Sequence, residues 1–550
     1  MLDLIIRNGK VVDGTGLPAY IGDIGIKNGK IVITGSVKDS GKEELDASGL
    51  VVAPGFIDPH THFDAQLLWD GRAKPAIEHG ITTIIPGNCS LSLAPLKSND
   101  RMKLVGMFNQ IEEMPIKAFQ EGVEWDWETF DEFIGRIKKS LSINVAPLVG
   151  HSVLRLWVMG DQSAEREANE REIKDMQTLL RECLSAGAIG LSTSFIDVDE
   201  TLAPVPSRYA DQKELNALCD VLSESNKMLQ VVHEFFDPDV TIARVDQLAE
   251  LSSRHRIPTT LSPLFVNTEN DSGVKRVIER VKEQSKRGAR VWPQVQTRPI
   301  DISFCFEVPS LLFIRLPSWY KIMRFGTHSE IMEAFKDENK RVKLVQEASM
   351  LGPFWNSITL RQVNNEENRK YLGLSLDEIA SKRNTTPVEA MIDLSLEESL
   401  QAHFLAANMG HTDNDMIGEL LSDPHVHVGA SDGGAHILSF STYGDTGYLF
   451  SQFVRKSRAI SLEDAVKKIT LDTASIWGMK QRGCLKEGFL ADVTIFEEDK
   501  IDRGKEYYTD FNNSIKLFEY EKLIKKEGKK KAYQTGQIII EKKVLSIPIV

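Results

Sequence analysis

Short apolar segments alternate with amphipathic helical segments through the middle of the 550-residue chain. In one helical segment, residues 171–187, the apolar positions recur every three or four residues, which is the spacing of one helix face. Strands that alternate with helices are typical of a parallel sheet, and eight strands are the number that a closed barrel needs. We therefore predict an α/β protein with a (β/α)8 TIM barrel, whose strands lie within residues 55–62, 81–89, 144–151, 188–194, 228–234, 257–263, 289–297 and 426–432.

The two ends of the chain have a different pattern, in which apolar and polar residues alternate. Asn8-Gly9 and Asn28-Gly29 lie among such alternating residues and predict hairpin turns. The C-terminal segments 490–499 and 532–545 repeat this character. We predict a small β-sandwich domain formed by residues 1–54 and 481–550, beside a barrel formed by residues 55–297 and 402–480.

The segment between the seventh and eighth predicted strands is too long to be a single helix. We predict a mainly helical insertion at residues 298–401, near the barrel mouth, where loops often carry function. Its aromatic residues Trp319, Tyr320 and Trp355 are expected to form the insertion's own core.

Composition limits the class of protein. Hydrophobic residues make up 41% and charged residues 26%, as in ordinary globular proteins. The net charge of −13 argues against a nucleic-acid partner, because phosphate binding needs a basic surface. No apolar run is long enough to span a bilayer, and the first residues do not resemble a signal peptide. The five cysteines include no CxxC pair, which favours a reducing compartment. We expect a cytoplasmic protein with no membrane partner.

Residues that can bind metal gather at the predicted strand ends. His60 and His62 are two apart on a strand, so their side chains project to the same face and could form half of a zinc site. Cys89 ends the second strand, His233 the fifth and Asp432 the eighth. A cysteine is more often an inert buried residue, and that alternative stays open for Cys89. The pattern predicts one or two zinc ions bound by these five residues.

A zinc site of this kind suits hydrolysis of an unactivated amide in a small molecule. Zinc polarises the carbonyl and lowers the pKa of bound water to about 7, which makes that water the nucleophile. Asp432 would then carry a proton from water to the leaving nitrogen. No P-loop, Rossmann fingerprint or GxSxG turn offers competing chemistry.

Four further residues near the strand ends are candidates for substrate binding. His151 follows the third strand, although a structural histidine is an equal alternative. Arg208 and Arg298 could bind an anionic group, or each could brace a loop through a salt bridge. His436 is close in sequence to Asp432 and could orient it or contact substrate.

Several stretches resemble the amidohydrolase superfamily, and within it the N-acyl-D-amino-acid deacylase (D-aminoacylase-like) branch. They are VVAPGFIDPHTHFD, HGITTIIPGNCSLSLAP, LVGHSVLR, AGAIGLSTS, SDGGAH and RGCLKEGFLADVTIF. The resemblance implies a zinc-dependent barrel flanked by a β-sandwich and hydrolysis of an N-acyl amide, and it is compatible with a homo-oligomer. By position, it places His60, His62 and Asp432 in one metal group. It places Cys89 and His233 in a tighter zinc group, with Cys89 as a bridge.

The chain also departs from the family pattern. The fourth strand, GLSTS, has no lysine of the kind that bridges metals in hydantoinases and dihydroorotases. Pro263 stands where the branch has a histidine on the sixth strand, so the number of metals is open. STYGDTGYLF lacks the arginine that binds the substrate carboxylate. The alternatives are therefore a cyclic amide hydrolase or deaminase on the same scaffold, or a metal-free structural relative.

Overall fold

The structure is a computed structural model, and it describes residues 1–267, 271–429, 431–440, 442–503 and 537–538. The chain forms two compact units. The first comprises residues 1–298, 413–435 and 442–550, and the second comprises residues 299–412 and 436–441. The longer segment of the second unit, residues 299–412, overlaps the segment 298–401 in which an insertion is predicted.

Eight parallel strand positions form the barrel in the first unit. Parallel ladders join each position to the next one in sequence order, which accounts for seven of the eight neighbouring pairs. The parallel bridge between Thr61 and Gly433 joins the first position to the last. The third position consists of two short segments, the first paired with strand two and the second with strand four. All eight predicted positions are confirmed, and the strands are Phe56–Asp58, Ile81–Ile84, Asn144–Val145 with Leu148–Gly150, Gly190–Ser194, Met228–Val232, Thr259–Ser262, Val291–Val295 and His427–Val428.

Helices connect the barrel strands and pack their apolar faces into one large core. The helix Glu170–Ser185 shows how: it begins with a capping box at Asn169, and it buries Ile173, Met176 and Leu180 along one face. The other helices of this unit are Lys74–Glu78, Arg101–Ile111, Ile116–Gly122, Phe130–Lys138, His151–Met159, Gln212–Glu224, Pro238–His255, Asp271–Lys286, Asn414–Leu421, Asp445–Tyr448, Leu462–Lys467 and Thr473–Ile476, with π-helical turns at Leu449–Lys456 and Lys468–Asp472.

A seven-stranded sheet joins the two ends of the chain. Its strands are Leu2–Val11, Tyr20–Lys27, Lys30–Gly35, Gly41–Asp46, Val51–Pro54, Val493–Phe496 and Gln537–Ile538. Val51–Pro54 pairs antiparallel with Val493–Phe496, and the next residues enter the barrel. Apart from residues 537–538, the predicted C-terminal segment 532–545 lies outside the described residues.

One of the two predicted hairpin turns is present and the other is not. Asn28-Gly29 connects two antiparallel strands, and both residues have positive φ, as a tight turn requires. The prediction of a turn at Asn8-Gly9 is wrong. Asn8 has a φ of 58° inside the strand Leu2–Val11, where the register with the neighbouring strand shifts, so this pair forms a β-bulge.

The second unit has its own core and combines helices with a sheet that the sequence analysis did not identify. Its helices are Pro317–Phe325, His328–Lys336, Glu338–Ser349, Leu376–Arg383 and Pro387–Glu397, and its three antiparallel strands are Ile300–Phe304, Thr359–Gln362 and His403–Gly410. Trp319 and Trp355 are fully buried with ring centroids 6.5 Å apart, which confirms their expected place in the core. Among the described helices of both units, none is long and apolar enough to cross a membrane.

Candidate metal centre

Three of the predicted metal ligands meet at one end of the barrel. The ligand atoms of His60, His62 and Cys89 all lie within 4.8 Å of one another, and the three side chains are buried. The Cys89 sulfur is 3.5 Å from Nε2 of His60 and 3.7 Å from Nε2 of His62. Two imidazoles and a thiol in this arrangement form a donor set that zinc prefers, so these residues fit a zinc ion.

Asp432 lies beside the two histidines and is more exposed than either of them. Its Oδ1 is 3.2 Å from Nε2 of His60 and 3.7 Å from Nε2 of His62. The Asp432 side chain is 27% exposed, compared with 3% for His60 and 1% for His62. Solvent therefore reaches Asp432 more readily than it reaches the two histidines.

The loop that carries Cys89 is held in a strained conformation by buried polar contacts. Cys89 and Ser90 have φ values of 55° and 61°, which residues with a Cβ rarely adopt. Ser192 on the fourth strand donates a hydrogen bond to the Gly87 carbonyl at 2.5 Å, and the Asn88 amide donates to the Ile85 carbonyl at 2.7 Å. Strain of this kind is typical of functional sites, and here it points the thiol at the histidines.

The Nδ1 atoms of the two histidines contact different partners on the side away from Cys89. Nδ1 of His60 is 3.1 Å from the Ser262 hydroxyl, which also accepts a hydrogen bond from Gln230 at 3.1 Å. Nδ1 of His62 is 3.2 Å from Oε1 of Glu112, and both side chains are almost fully buried. A neutral imidazole has one proton, and a proton on Nδ1 leaves the Nε2 lone pair available for a metal.

The surroundings of this cluster are acidic, which favours a cation. Burial lowers the pKa of His62, but the charges of Glu112 and Asp432 outweigh burial and raise it. Burial and nearby carboxylates raise the pKa of the Cys89 thiol. Burial also raises the pKa of Asp58, which accepts a hydrogen bond from Ser431, to about 7. A bound cation would offset this concentration of negative charge and favour the thiolate.

His233 directly follows the fifth barrel strand, as predicted, but lies outside the group whose ligand atoms are within 4.8 Å of one another. It is fully buried, and neither ring nitrogen has a hydrogen-bond partner among the described residues. Burial lowers its pKa to about 4, so the imidazole is neutral at physiological pH. A buried neutral imidazole without a partner suits metal binding, and its role as a ligand stays a prediction.

His151 belongs to a buried network in the same unit. Its Nδ1 is 2.9 Å from the Thr193 hydroxyl and its Nε2 is 2.7 Å from Oε1 of Glu214. Arg155, one turn further along the same helix, also pairs with Glu214. Because both ring nitrogens are engaged, the contacts favour a structural histidine over a substrate-binding one.

The three remaining candidates also have local partners. Arg208 is exposed and donates hydrogen bonds to the carbonyls of Ile196 and Asp197. Among the residues that the structure describes, it therefore braces its loop through backbone bonds rather than a salt bridge. Arg298 is fully buried and pairs with Asp445 at 3.0 Å. His436 belongs to the second unit, where it stacks on Phe440 with ring centroids 4.7 Å apart. Contact between these residues and a substrate stays a prediction.

Sequence reasoning missed two residues that contact the histidines. Glu112 follows the helix Arg101–Ile111, within the long connection between the second and third strands, and no motif marks it. Ser262 immediately precedes Pro263 at the end of the sixth strand. The position at a strand end that indicated the candidate ligands could have indicated Ser262 as well, whereas the proximity of Glu112 to His62 becomes visible only in the folded chain.

Comparisons with known proteins agree with this architecture. A model of the amidohydrolase family matches residues 43–284 and 353–511. An N-acyl-D-aspartate deacylase of Alcaligenes xylosoxydans xylosoxydans is 26% identical over 506 residues, covering 91% of this chain and 86% of that protein. An N-acyl-D-glutamate deacylase of the same organism is 26% identical over 515 residues, covering 91% and 88%.

A solved structure has the same fold. The crystal structure of N-acyl-D-glutamate deacylase from Bordetella bronchiseptica, complexed with zinc and a phosphonate inhibitor, superposes with a TM-score of 0.63. It is 24% identical and covers 92% of each chain. The predicted resemblance to the D-aminoacylase-like branch and the amidohydrolase barrel are thereby confirmed. Since the family model matches well over half of its residues, the chain belongs to the amidohydrolase family and is a hydrolase of that family.

Proposed function

We propose that the protein hydrolyses the C–N amide bond of an N-acylated or amide-bearing small molecule, at a zinc site at the end of the barrel. The convergence of His60, His62 and Cys89, with Asp432 beside them, is the observation that supports this proposal. A metal-free scaffold would not require buried imidazoles and a thiol in mutual contact, so this geometry counts against that alternative.

The ligands of the site would be His60, His62, Cys89 and Asp432, with His233 completing it. A zinc ion supplies Lewis acidity, which polarises a carbonyl oxygen and makes water a stronger acid. The number of bound ions depends on the end of the sixth strand. Pro263 stands there in place of the histidine that the D-aminoacylase-like branch has, and a proline side chain cannot bind metal. We therefore infer that one of the two positions is weakened.

Asp432 would move the proton in the reaction. Its partly exposed side chain is close to both histidines and reaches solvent, so it can accept a proton from the attacking water. The same carboxyl can then donate that proton to the leaving nitrogen, which an amide needs because its amine anion is a poor leaving group. The buried histidines are too enclosed to carry out this exchange with substrate.

The names of the relatives support N-acyl amino acids as the first substrates to test. Relatives covering most of this chain are named N-acyl-D-aspartate deacylase and N-acyl-D-glutamate deacylase. The segment that follows the eighth strand, STYGDTGYLF, has no arginine to bind a substrate carboxylate. An assay should therefore include N-formyl and N-acetyl D- and L-amino acids, the corresponding amides without a carboxylate, and cyclic imides.

Elemental analysis and a substitution at Asp432 together test the proposal. We expect about one or two zinc ions per chain, loss of activity on chelation, and recovery on addition of zinc. Asp432→Asn should abolish turnover, whereas Asp161→Asn, the same change at an 81%-exposed site, should not. A protein without metal, or an Asp432→Asn variant with full activity, would show that the proposal is wrong.

A further inference from the structure

We infer that Glu112 is a positioning residue, whose carboxylate fixes the orientation and the tautomer of His62 and thereby strengthens metal binding. The inference rests on the proposed metal site but concerns a residue outside the predicted ligand set. It starts from the contact between Oε1 of Glu112 and Nδ1 of His62, which are 3.2 Å apart.

The contact lies on the side of the ring opposite to the cluster. Nε2 of His62 faces the Cys89 sulfur at 3.7 Å and Oδ1 of Asp432 at 3.7 Å, so this nitrogen is the one that would bind metal. A negative charge 3.2 Å from Nδ1 favours a proton on that nitrogen. The neutral ring then keeps its Nε2 lone pair for the metal.

Burial makes this charge effective. The side chains of His62 and Glu112 are 1% and 2% exposed, so water screens the interaction only weakly. Burying a carboxylate is unfavourable unless an opposite charge compensates it. A cation bound beside His62 would supply that compensating positive charge. It would also make the Nδ1 proton of His62 more acidic and so strengthen the contact between His62 and Glu112.

His60 shows what the contact at His62 adds. Nδ1 of His60 meets the neutral hydroxyl of Ser262 at 3.1 Å instead of a carboxylate. The two histidines are thus held by partners of different charge, although both present Nε2 to the same sulfur. Nδ1 of His62 and Oε1 of Glu112 make no hydrogen bond of normal geometry, so their contact acts through charge. We expect the charged partner to contribute more to affinity, because a charge interaction is strong where burial excludes water.

Cobalt binding to the metal-stripped full-length protein tests the role of Glu112 independently of activity. Affinity is measured by competition with a chelator, and the visible spectrum of the bound Co²⁺ reports thiolate ligation by Cys89. Glu112→Gln keeps the size of the side chain and removes its charge, so we expect affinity to fall about 10- to 100-fold, with the thiolate band retained. Glu112→Asp keeps the charge and should recover part of this loss.

Glu398→Gln is the matched control, because Glu398 is a carboxylate with only 4% exposure that accepts hydrogen bonds from Asn364, Asn365 and Asn368. This variant should bind cobalt like the unmodified protein. If Glu112→Gln binds cobalt within twofold of the unmodified protein, or if Glu398→Gln loses as much affinity, the inference is wrong. If the unmodified protein itself does not bind cobalt, the proposed function fails instead.

Discussion

Replacing Glu214 with glutamine should destabilise the barrel strongly without affecting the metal site. Glu214 is fully buried, and it accepts from His151 at 2.7 Å and pairs with Arg155. The substitution keeps the side chain's size but leaves the buried guanidinium of Arg155 without its counter-charge. Removing one partner of a buried ion pair costs about 3–5 kcal/mol, a large share of the roughly 5–15 kcal/mol that keeps a protein folded.

Urea unfolding followed by circular dichroism measures this loss, with metal content determined on the same samples. Arg155→Met provides the second arm of a double-mutant cycle, since removing both charges removes the unpaired ion as well. We expect the double variant to be more stable than the sum of the two single losses predicts. Solvent-exposed ion pairs contribute less than about 1 kcal/mol to the free energy of unfolding. If Glu214→Gln lowers the free energy of unfolding by no more than that, this account of the network is refuted.

The same network makes a prediction about pH. Burial raises the pKa of Glu214, but the hydrogen bond and charge of His151 and the charge of Arg155 bring it below its ordinary value. The charged carboxylate therefore stabilises the folded state above the unfolded pKa of about 4.3, and this contribution is lost as the pH falls through the lower folded pKa. The difference in stability between Glu214→Gln and the unmodified protein should shrink in that range.

Two further substitutions separate the metal site from the rest of the fold. Cys89→Ala should lower zinc content and abolish the thiolate band of the cobalt-loaded protein, while changing the melting temperature of the metal-free protein little; an unchanged band would exclude Cys89 as a ligand. Trp319→Ala should cost about 3–5 kcal/mol of stability in the second unit, because it empties a fully buried aromatic site, yet leave zinc content intact.

The barrel strands and the residues at their carboxyl ends are the features that the sequence predicted best. The eight barrel strands could be predicted because a buried parallel strand is a short apolar run. The candidate ligands could be predicted because each stands at the carboxyl end of a strand. His60, His62 and Cys89 meet as predicted. His233 directly follows the fifth strand, as predicted. Its distance from the other three donors depends on side-chain placement, which the pattern of apolar residues along the chain cannot predict.

Other features could not be predicted because they depend on contacts between distant segments. Asn8-Gly9 has the composition of a hairpin turn, yet continued pairing on both sides makes it a bulge. His151 has the position of a substrate-binding residue, but Glu214 reaches it from a helix more than sixty residues away in sequence. The short strands of the second unit are separated by several helices, so their pairing leaves no local pattern.

The sheet shared by both ends of the chain has a consequence for synthesis. Val51–Pro54 leads directly into the strand before His60, whereas its antiparallel neighbour Val493–Phe496 is synthesised long after it. Because long-range pairing must wait for both partners, the nascent chain carries an open strand edge until Val493–Phe496 has been synthesised. Expression at lower temperature or with added chaperones should therefore increase the soluble yield. Truncation before residue 493 should impair folding of the first barrel strand, which precedes His60.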